Sequence, residues 1–453
     1  MSSDNPTARL AEFISTTSIE QISEEVLHEA KRTLINIVAV ALSASNDPSV
    51  DTLLNWDGKK HSERMTTVIG KGRAHLERAA LVNGYLAHLQ DYDDTHFPTI
   101  LHPSAPVWPA VLAIAEAENL SGSETLAAFS IGAETACSLA MSIHPWHYNA
   151  GWHITGTVGV FGAAAAAIHA LKLSPKHAEQ TLGLAGTHSA GVRETFGTNA
   201  KALHAGNAAS HGLRAAYLVK SGFTGPYKFL EGRRGFWAIQ SPENHDQTWI
   251  DNIGNTNQSW QLLSNGLKPF ANGIVSHPLE EAVITLRNQH NIQSEQVQSI
   301  QAQVHPLVIE LMNRPNPSVG LEGKFSYQHC AAVSLVDGSA HDAQFSDKRV
   351  IDPEISELRN KVSAQIDKSL KEEEVYVSIE LTDGQTHSIH IPSATGSPSN
   401  PMTDSQLDDK FFALSNEILG EAKTLKLLKL LKEINFAPNI NEIMNMIRTD
   451  HNE

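Results

Sequence analysis

The stretch Gly159-Val-Phe-Gly-Ala-Ala-Ala-Ala-Ala-Ile-His-Ala-Leu-Lys-Leu173 decides how the first half of the chain reads. Alanine has the highest intrinsic helix propensity, and its small side chain lets a neighbouring helix approach closely. No charge interrupts the run before Lys172, so it reads as a buried helix and not as a surface one. Residues 107–117 repeat the pattern. In 18–45, Ile19, Ile22, Val26, Ala30 and Leu34 recur near the helical period with charges between them, which predicts another helix. Ser121-Gly-Ser-Glu124 and Ser174-Pro175 are start signals, the second placing a capping hydroxyl before a proline at the first helical position. From about residue 7 to 235 the pattern is helical, and no strand is predicted there.

The character changes near Lys268. Residues 297–305 alternate, with Ile300, Ala302 and Val304 on one face. Val375, Val377, Ile379 and Leu381 alternate too, and Asp383-Gly384 supplies a tight turn before Ile389 and Ile391, a hairpin signal. Helical pieces begin around Phe325 and Pro353. After Gly396-Ser-Pro-Ser-Asn-Pro401 helix returns, with Leu407, Phe411 and Leu414 and then 425–434. The expected fold is mainly α: a large all-helical domain over 1–266, completed by 401–453 and therefore discontinuous, with a smaller α+β lid domain, 267–400, inserted.

Composition limits the partners. The 453 residues carry 34 Lys+Arg against 50 Asp+Glu, a formal charge of −16, so the surface offers no general attraction to nucleic acid or anionic lipid. An anionic substrate would need a local cationic pocket. The longest apolar run, 158–168, is far short of the roughly 20 residues of a membrane span. The N-terminus, MSSDNPTARLAEF, has neither a basic segment followed by an apolar one nor the arginine content of a transit peptide. Two cysteines, Cys137 and Cys330, form no metal or redox motif and read as buried thiols. A cytoplasmic setting is expected.

Four segments concentrate ionisable residues. Asp91-Tyr-Asp-Asp-Thr-His96, followed by His102-Pro-Ser104, packs three carboxylates into four residues, which repel unless cations or donors sit nearby. The bland alternative is a solvated loop with a helix cap. His144-Pro-Trp-His147-Tyr-Asn-Ala-Gly-Trp-His153 leads into the alanine-rich helix, where His153 would sit at an anion-favouring N-terminus. Its three histidines match no standard zinc spacing, and no metal is expected. Lys201 lies in Thr198-Asn-Ala-Lys-Ala-Leu-His204-Ala-Gly-Asn207 among small residues, either as a solvated charge or as an anion-binding one. Lys268-Pro-Phe, with His277 downstream, falls at the junction of the two units, a favoured place for a ligand site. Other motifs fail: Gly156, Gly159 and Gly162 follow no strand, so they form no dinucleotide fingerprint, and there is neither a phosphate loop nor a GxSxG elbow. The pair Asp93-Asp94 lacks the further aspartate that prenyl-diphosphate enzymes need.

Taken together, Asp91-Tyr-Asp-Asp-Thr with His102-Pro-Ser, Gly151-Trp-His-x-Thr and Lys201-x-Leu-His-x-Gly-Asn-Ala-Ala resemble the MmgE/PrpD family. That family includes 2-methylcitrate dehydratase, cis-aconitate decarboxylase and iminodisuccinate epimerase. The resemblance runs from Leu10 to the final helices. It implies an enzyme without metal or organic cofactor, a homodimer, and a small di- or tricarboxylate as substrate. It implies catalytic roles for Asp91, His102, His153 and Lys201, and substrate binding by Lys268, with Asp94, Thr157, His204 and His277 as further substrate-binding candidates. One departure stands out. The decarboxylase branch has a tyrosine just before an Asn-Arg-Pro similar to Asn313-Arg314-Pro315, and here that position is Leu311. The expectation is therefore a cofactor-independent lyase of the 2-methylcitrate dehydratase type. Alternatives are a cis-aconitate decarboxylase-like enzyme, an iminodisuccinate epimerase-like isomerase, and a non-catalytic helical binding or scaffold protein, whose polar residues would scatter over the surface.

Overall fold

In the computed structural model, which describes residues 5–55, 65–242, 244–255 and 259–449, the alanine-rich stretch lies in the helix Ile154–Ala170. Every residue of that helix except His169 is buried. The helices Ser104–Glu118, Gly122–Met141 and Asn199–Lys220 pack against it. Ser121 and Glu124 close a reciprocal cap at one start, and Ser174 caps Pro175–Ala185 at another. The expected helix over 18–45 is broken, because the Ser23 hydroxyl accepts from Val26 N–H and starts a new helix, Glu24–Ala44, after a single 3₁₀ turn at Ile19–Gln21. Period alone cannot see such a cap.

The first half also contains strands, against expectation. Strands β1 (Met65–Thr67) and β2 (Arg73–His75) pair antiparallel, and β3 (Thr95–His96) pairs antiparallel with β4 (Asn265–Gly266). Runs of two or three residues are too short to show alternation. The β3–β4 pair brings the acidic segment beside Lys268.

The strands β5 (Val297–Val304), β6 (Val362–Ile366), β7 (Val375–Leu381) and β8 (Thr386–Ile391) form one sheet in the order β6-β5-β7-β8. The β5–β6 pair is parallel and the others are antiparallel. Gly384, at φ +87°, makes the β7–β8 turn. Ile300, Ala302 and Val304 face inward with Val375, Val377 and Ile379, and the helices His277–His290 and Tyr327–Asp337 cover them in a second apolar core. The helices Asp404–Leu419 and Glu421–Lys432 return to the first core, where Leu407, Phe411, Leu427 and Leu431 join the Glu24–Ala44 helix. The fold is mainly α with a smaller α+β region. Cys137 and Cys330 are buried free thiols. Among the described residues no helix is long and apolar enough to cross a membrane. Residues 1–4 and 450–453, the ends of the expected helical domain, lie outside the described residues.

One close approach aligns the parts that matter later. The helix Leu76–Leu89 crosses Asn199–Lys220 at Gly84 and Gly206, and a Cβ on Gly206 would lie 2.3 Å from the Leu81 carbonyl oxygen. Gly206→Ala is therefore expected to cost about 1–3 kcal/mol through a forced helix shift. A thermal unfolding midpoint equal to that of the parent chain would show that the crossing tolerates the methyl group.

Candidate active site

The helix Leu76–Leu89 ends at Gln90, and Asp91 follows at φ +53°, a left-handed conformation that aspartate tolerates better than most residues. That turn directs the Asp91 carboxylate inward. Its Oδ1 accepts from Lys268 Nζ at 2.7 Å and from Lys201 Nζ at 3.0 Å. Lys268 lies two residues past the end of β4 and also donates to the carbonyls of Asp91 and Asn272. Lys201 sits in the first turn of its helix, against the rings of Phe196 and Phe325. All three charged groups are buried. Burial alone would raise the Asp91 carboxyl, but the Lys201 and Lys268 ammonium groups override it and hold the carboxyl well below its usual range. Burial pulls Lys201 below its usual value, with Asp91 opposing. A lone buried lysine would lose its proton, so the shared carboxylate is what keeps two cations together in the interior.

His102 precedes the helix Ser104–Glu118, and its backbone N–H donates to Thr155 Oγ1 at 3.2 Å. His153 caps the alanine-rich helix. Between the two rings stands His88, stacked on His153 at 5.6 Å and edge-on to His102 at 4.6 Å. Asp93 Oδ2 lies 2.8 Å from His88 Nδ1 and 3.2 Å from His102 Nδ1. Burial depresses all three histidines, His88 to about 4, with Lys201 adding to the effect and Asp93 opposing it for His88 and His102. The rings are therefore neutral near pH 7 in this state.

Asp91, His102, His153, Lys201 and Lys268 line one cavity, together with Tyr148, Phe196, Phe325 and an apolar wall of Ile274, Val275, Leu311 and Met312. The scatter expected of a scaffold protein does not occur. The other four candidates do not line this cavity. Asp94 accepts from Ser104 and from the Asn265 amide, so its carboxyl, raised to about 7 by burial and by Asp93, ties β4 to the start of a helix. Thr157 shares a hydrogen bond with His147 Nε2 at 2.7 Å. His204 lies behind His153, the two Nδ1 atoms 2.9 Å apart. His277 is buried edge-on against Phe270.

Sequence reasoning missed His88, gave Asp93 no role and passed over Lys410. His88 and Asp91 are three residues apart, the first in the last turn of the Leu76–Leu89 helix and the second just beyond its end. Lys410 was hidden in a charged segment, Asp404-Ser-Gln-Leu-Asp-Asp-Lys410, that reads as a solvated face. It is buried, and its Nζ donates to Asn36 Oδ1, the Tyr92 carbonyl and the Lys268 carbonyl, lying 3.6 Å from the Tyr92 ring centre. The Asp404–Leu419 helix thus grips the backbone at both Tyr92 and Lys268, beside the Asp91–Lys268 pair.

Donor atoms of His88, Asp91, Asp93 and His102 lie within 4.8 Å of one another, close enough to surround a metal ion. Two ammonium groups already share Asp91 Oδ1, and a divalent ion there would meet their repulsion. The donor set fits an internal ion-pair network better than a metal centre.

The MmgE/PrpD N-terminal domain matches residues 8–248, and the MmgE/PrpD C-terminal domain matches 270–434. The chain belongs to the MmgE/PrpD family. It is 27% identical to a cis-aconitate decarboxylase of Mus musculus over 94% of this chain and 90% of that protein. It is 26% identical to the Homo sapiens protein of the same name, over 94% of this chain and 91% of that protein. A cis-aconitate decarboxylase of Aspergillus terreus is 24% identical over 97% of this chain and 95% of its own length.

Removing the shared carboxylate is the sharpest test of this geometry. Asp91→Asn leaves two buried ammonium groups facing a neutral amide and is expected to cost about 3–5 kcal/mol in chemical denaturation. Adding Lys201→Met to that variant should restore part of the loss. An Asp91→Asn protein as stable as the parent would mean that the lysines are held by other groups.

Proposed function

We propose that this member of the family is a lyase acting on a small tricarboxylate, and that it eliminates water in the manner of a 2-methylcitrate dehydratase. The observation that carries the reading is the convergence of two ammonium groups and two neutral imidazoles on one cavity with an apolar wall. Lys201 receives a substrate carboxylate, Lys268, whose three N–H groups go to Asp91 and Asn272, adds positive charge at the cavity wall, and Asp91 holds the two lysines together. One histidine takes the proton from the carbon next to a carboxylate. Negative charge then builds on that carboxylate, where the ammonium groups lower its energy. The carbon–carbon double bond forms, the carbon–oxygen bond breaks, and the other histidine protonates the departing hydroxyl to water. The wall of Ile274, Val275, Leu311 and Met312 suits an alkyl substituent on the substrate.

A second reading, loss of carbon dioxide from cis-aconitate, is favoured by the names of the relatives. Against it stands Leu311, which puts a hydrocarbon on the cavity wall where the resemblance to the decarboxylase branch calls for a phenol. Tyr148 is the tyrosine among the lining residues, on the other side of the sequence motif.

Incubation with 2-methylcitrate and, separately, with cis-aconitate, followed by mass spectrometry, separates the two. Loss of water from 2-methylcitrate is expected. Release of carbon dioxide from cis-aconitate without dehydration of 2-methylcitrate would replace the first reading with the second. His153→Ala should lower kcat by about 100-fold or more while the thermal midpoint stays near that of the parent. Near-parent turnover would remove His153 from the mechanism.

A further inference from the structure

We propose that His88, Asp93 and His204 are positioning residues that fix opposite tautomers on the two cavity histidines, making His102 the base and His153 the acid. This rests on the lyase reading above and adds the direction in which protons move.

The argument begins at Asp93, which is buried and shared between two rings. Burial would raise its carboxyl, but the facing His88 and His102 hold it well below its usual range, so it is ionised and can only accept. A neutral ring turned toward an ionised carboxylate carries its proton on the near nitrogen. His88 Nδ1 is hydrogen-bonded to that oxygen and carries its proton there, whereas His102 Nδ1 lies 3.2 Å from it off hydrogen-bond alignment, where a proton on that nitrogen still faces the negative charge. The remaining nitrogen of His102, Nε2, keeps its lone pair for the cavity, with a negative charge behind the ring to favour taking up a proton. His88 contributes by occupying the other approach to the same oxygen. It sits within ring contact of both cavity histidines but does not itself line the cavity.

His153 is held differently. Its Nδ1 is 2.9 Å from His204 Nδ1, and of two ring nitrogens in contact one must bear the hydrogen and the other the lone pair. Around His153 stand His88, His102, His204 and the Lys201 ammonium, and the pairs formed with it include no carboxylate. Nothing there rewards a positive charge on the ring, so His153 is a poor base. We take the half-buried His204 as the donor, since it is the ring that can regain a proton from solvent, and this puts the His153 proton on Nε2. Elimination then balances. His102 Nε2 takes the C–H proton, the bonding pair forms the double bond, and the carbon–oxygen pair leaves with the hydroxyl. The hydroxyl takes the proton from His153 Nε2, while His204 passes its Nδ1 proton to His153 Nδ1. His153 remains neutral throughout. His204 is only half-buried, so its Nε2 takes up a proton from solvent as its Nδ1 loses one, which keeps the ring neutral, and the proton gained by His102 returns to solvent before the next turnover.

The direct test is nitrogen NMR of the full chain labelled at histidine. His88 and His102 are expected as Nδ1–H tautomers and His153 as Nε2–H. An Nε2–H tautomer at His102 overturns the proposal, whether or not any variant folds. Kinetics supply the second test. Asp93→Asn should lower kcat by about 100-fold or more with little change in KM. Of the groups facing His102 (Asp91, Asp93, His88, Lys201 and Lys268), the two carboxylates favour its protonated form, and Asp93 is the one beside its Nδ1. Its loss should therefore move the acid limb of kcat/KM to lower pH, and Asp93→Glu should recover part of both effects. His204→Phe should lower kcat by about 10-fold or more. An Asp93→Asn enzyme with parental kcat and an unmoved acid limb would falsify the assignment. Failure of the parent chain to turn over any tricarboxylate would instead count against the lyase reading, and the NMR tautomers would still decide the proposal.

Discussion

The rest of the site depends on one carboxylate oxygen shared by two lysines. Burying an ammonium group without a partner is among the most costly things a protein interior can do. Asp91 makes two such burials tolerable at once, because its left-handed backbone turns the carboxylate toward Lys201 from one helix and Lys268 from the segment after β4. Three further devices hold that geometry. The β3–β4 pair fixes the distance between the Asp91 segment and Lys268, the Gly84–Gly206 crossing fixes the Leu76–Leu89 helix against the helix that carries Lys201, and Lys410 grips the carbonyls of Tyr92 and Lys268. The result is a cationic point inside a chain of net charge −16. The global field repels anionic polymers, whereas a small polyanion that enters the cavity meets local cations at short range, where they outweigh distant charges.

The histidines answer a different constraint. Their rings crowd into a buried space, and burial keeps them neutral, which is the form a base needs before it acts. Asp93 distinguishes them. It faces two of the three rings and leaves the third paired with another imidazole. Chemically similar side chains are thereby given unequal proton affinities by what stands behind them.

Much of this was legible in the sequence, and the rest was hidden for physical reasons. Long helices announce themselves through period and caps, as Ser121 and Ser174 do, and the β7–β8 hairpin through strict alternation and Asp383-Gly384. The three-residue strands β1 and β2 carry no such signal, nor does the break before Ser23. Motif reading brought Asp91, His102, His153, Lys201 and Lys268 forward, and the structure gathers them around one cavity. It could not separate residues that touch the cavity from those packed behind it. Asp94 and Thr157 lie in the same motifs and are taken up by Ser104, Asn265 and His147. Lys410 escaped because a buried lysine and a solvated one look alike in sequence. Only its three oxygen partners, drawn from residues 36, 92 and 268, reveal which it is.

The central claim is that the Asp91-held lysines form a receptor for the carboxylates of a small polyanion. Tricarballylate, a tricarboxylate with no hydroxyl to eliminate, isolates binding from turnover in a calorimetric titration. The account predicts measurable binding to the parent chain and a loss of about 10-fold or more in affinity in Lys201→Met and in Lys268→Met, since each removes one buried positive charge from the cavity. Equal affinity in the parent and both variants would contradict it.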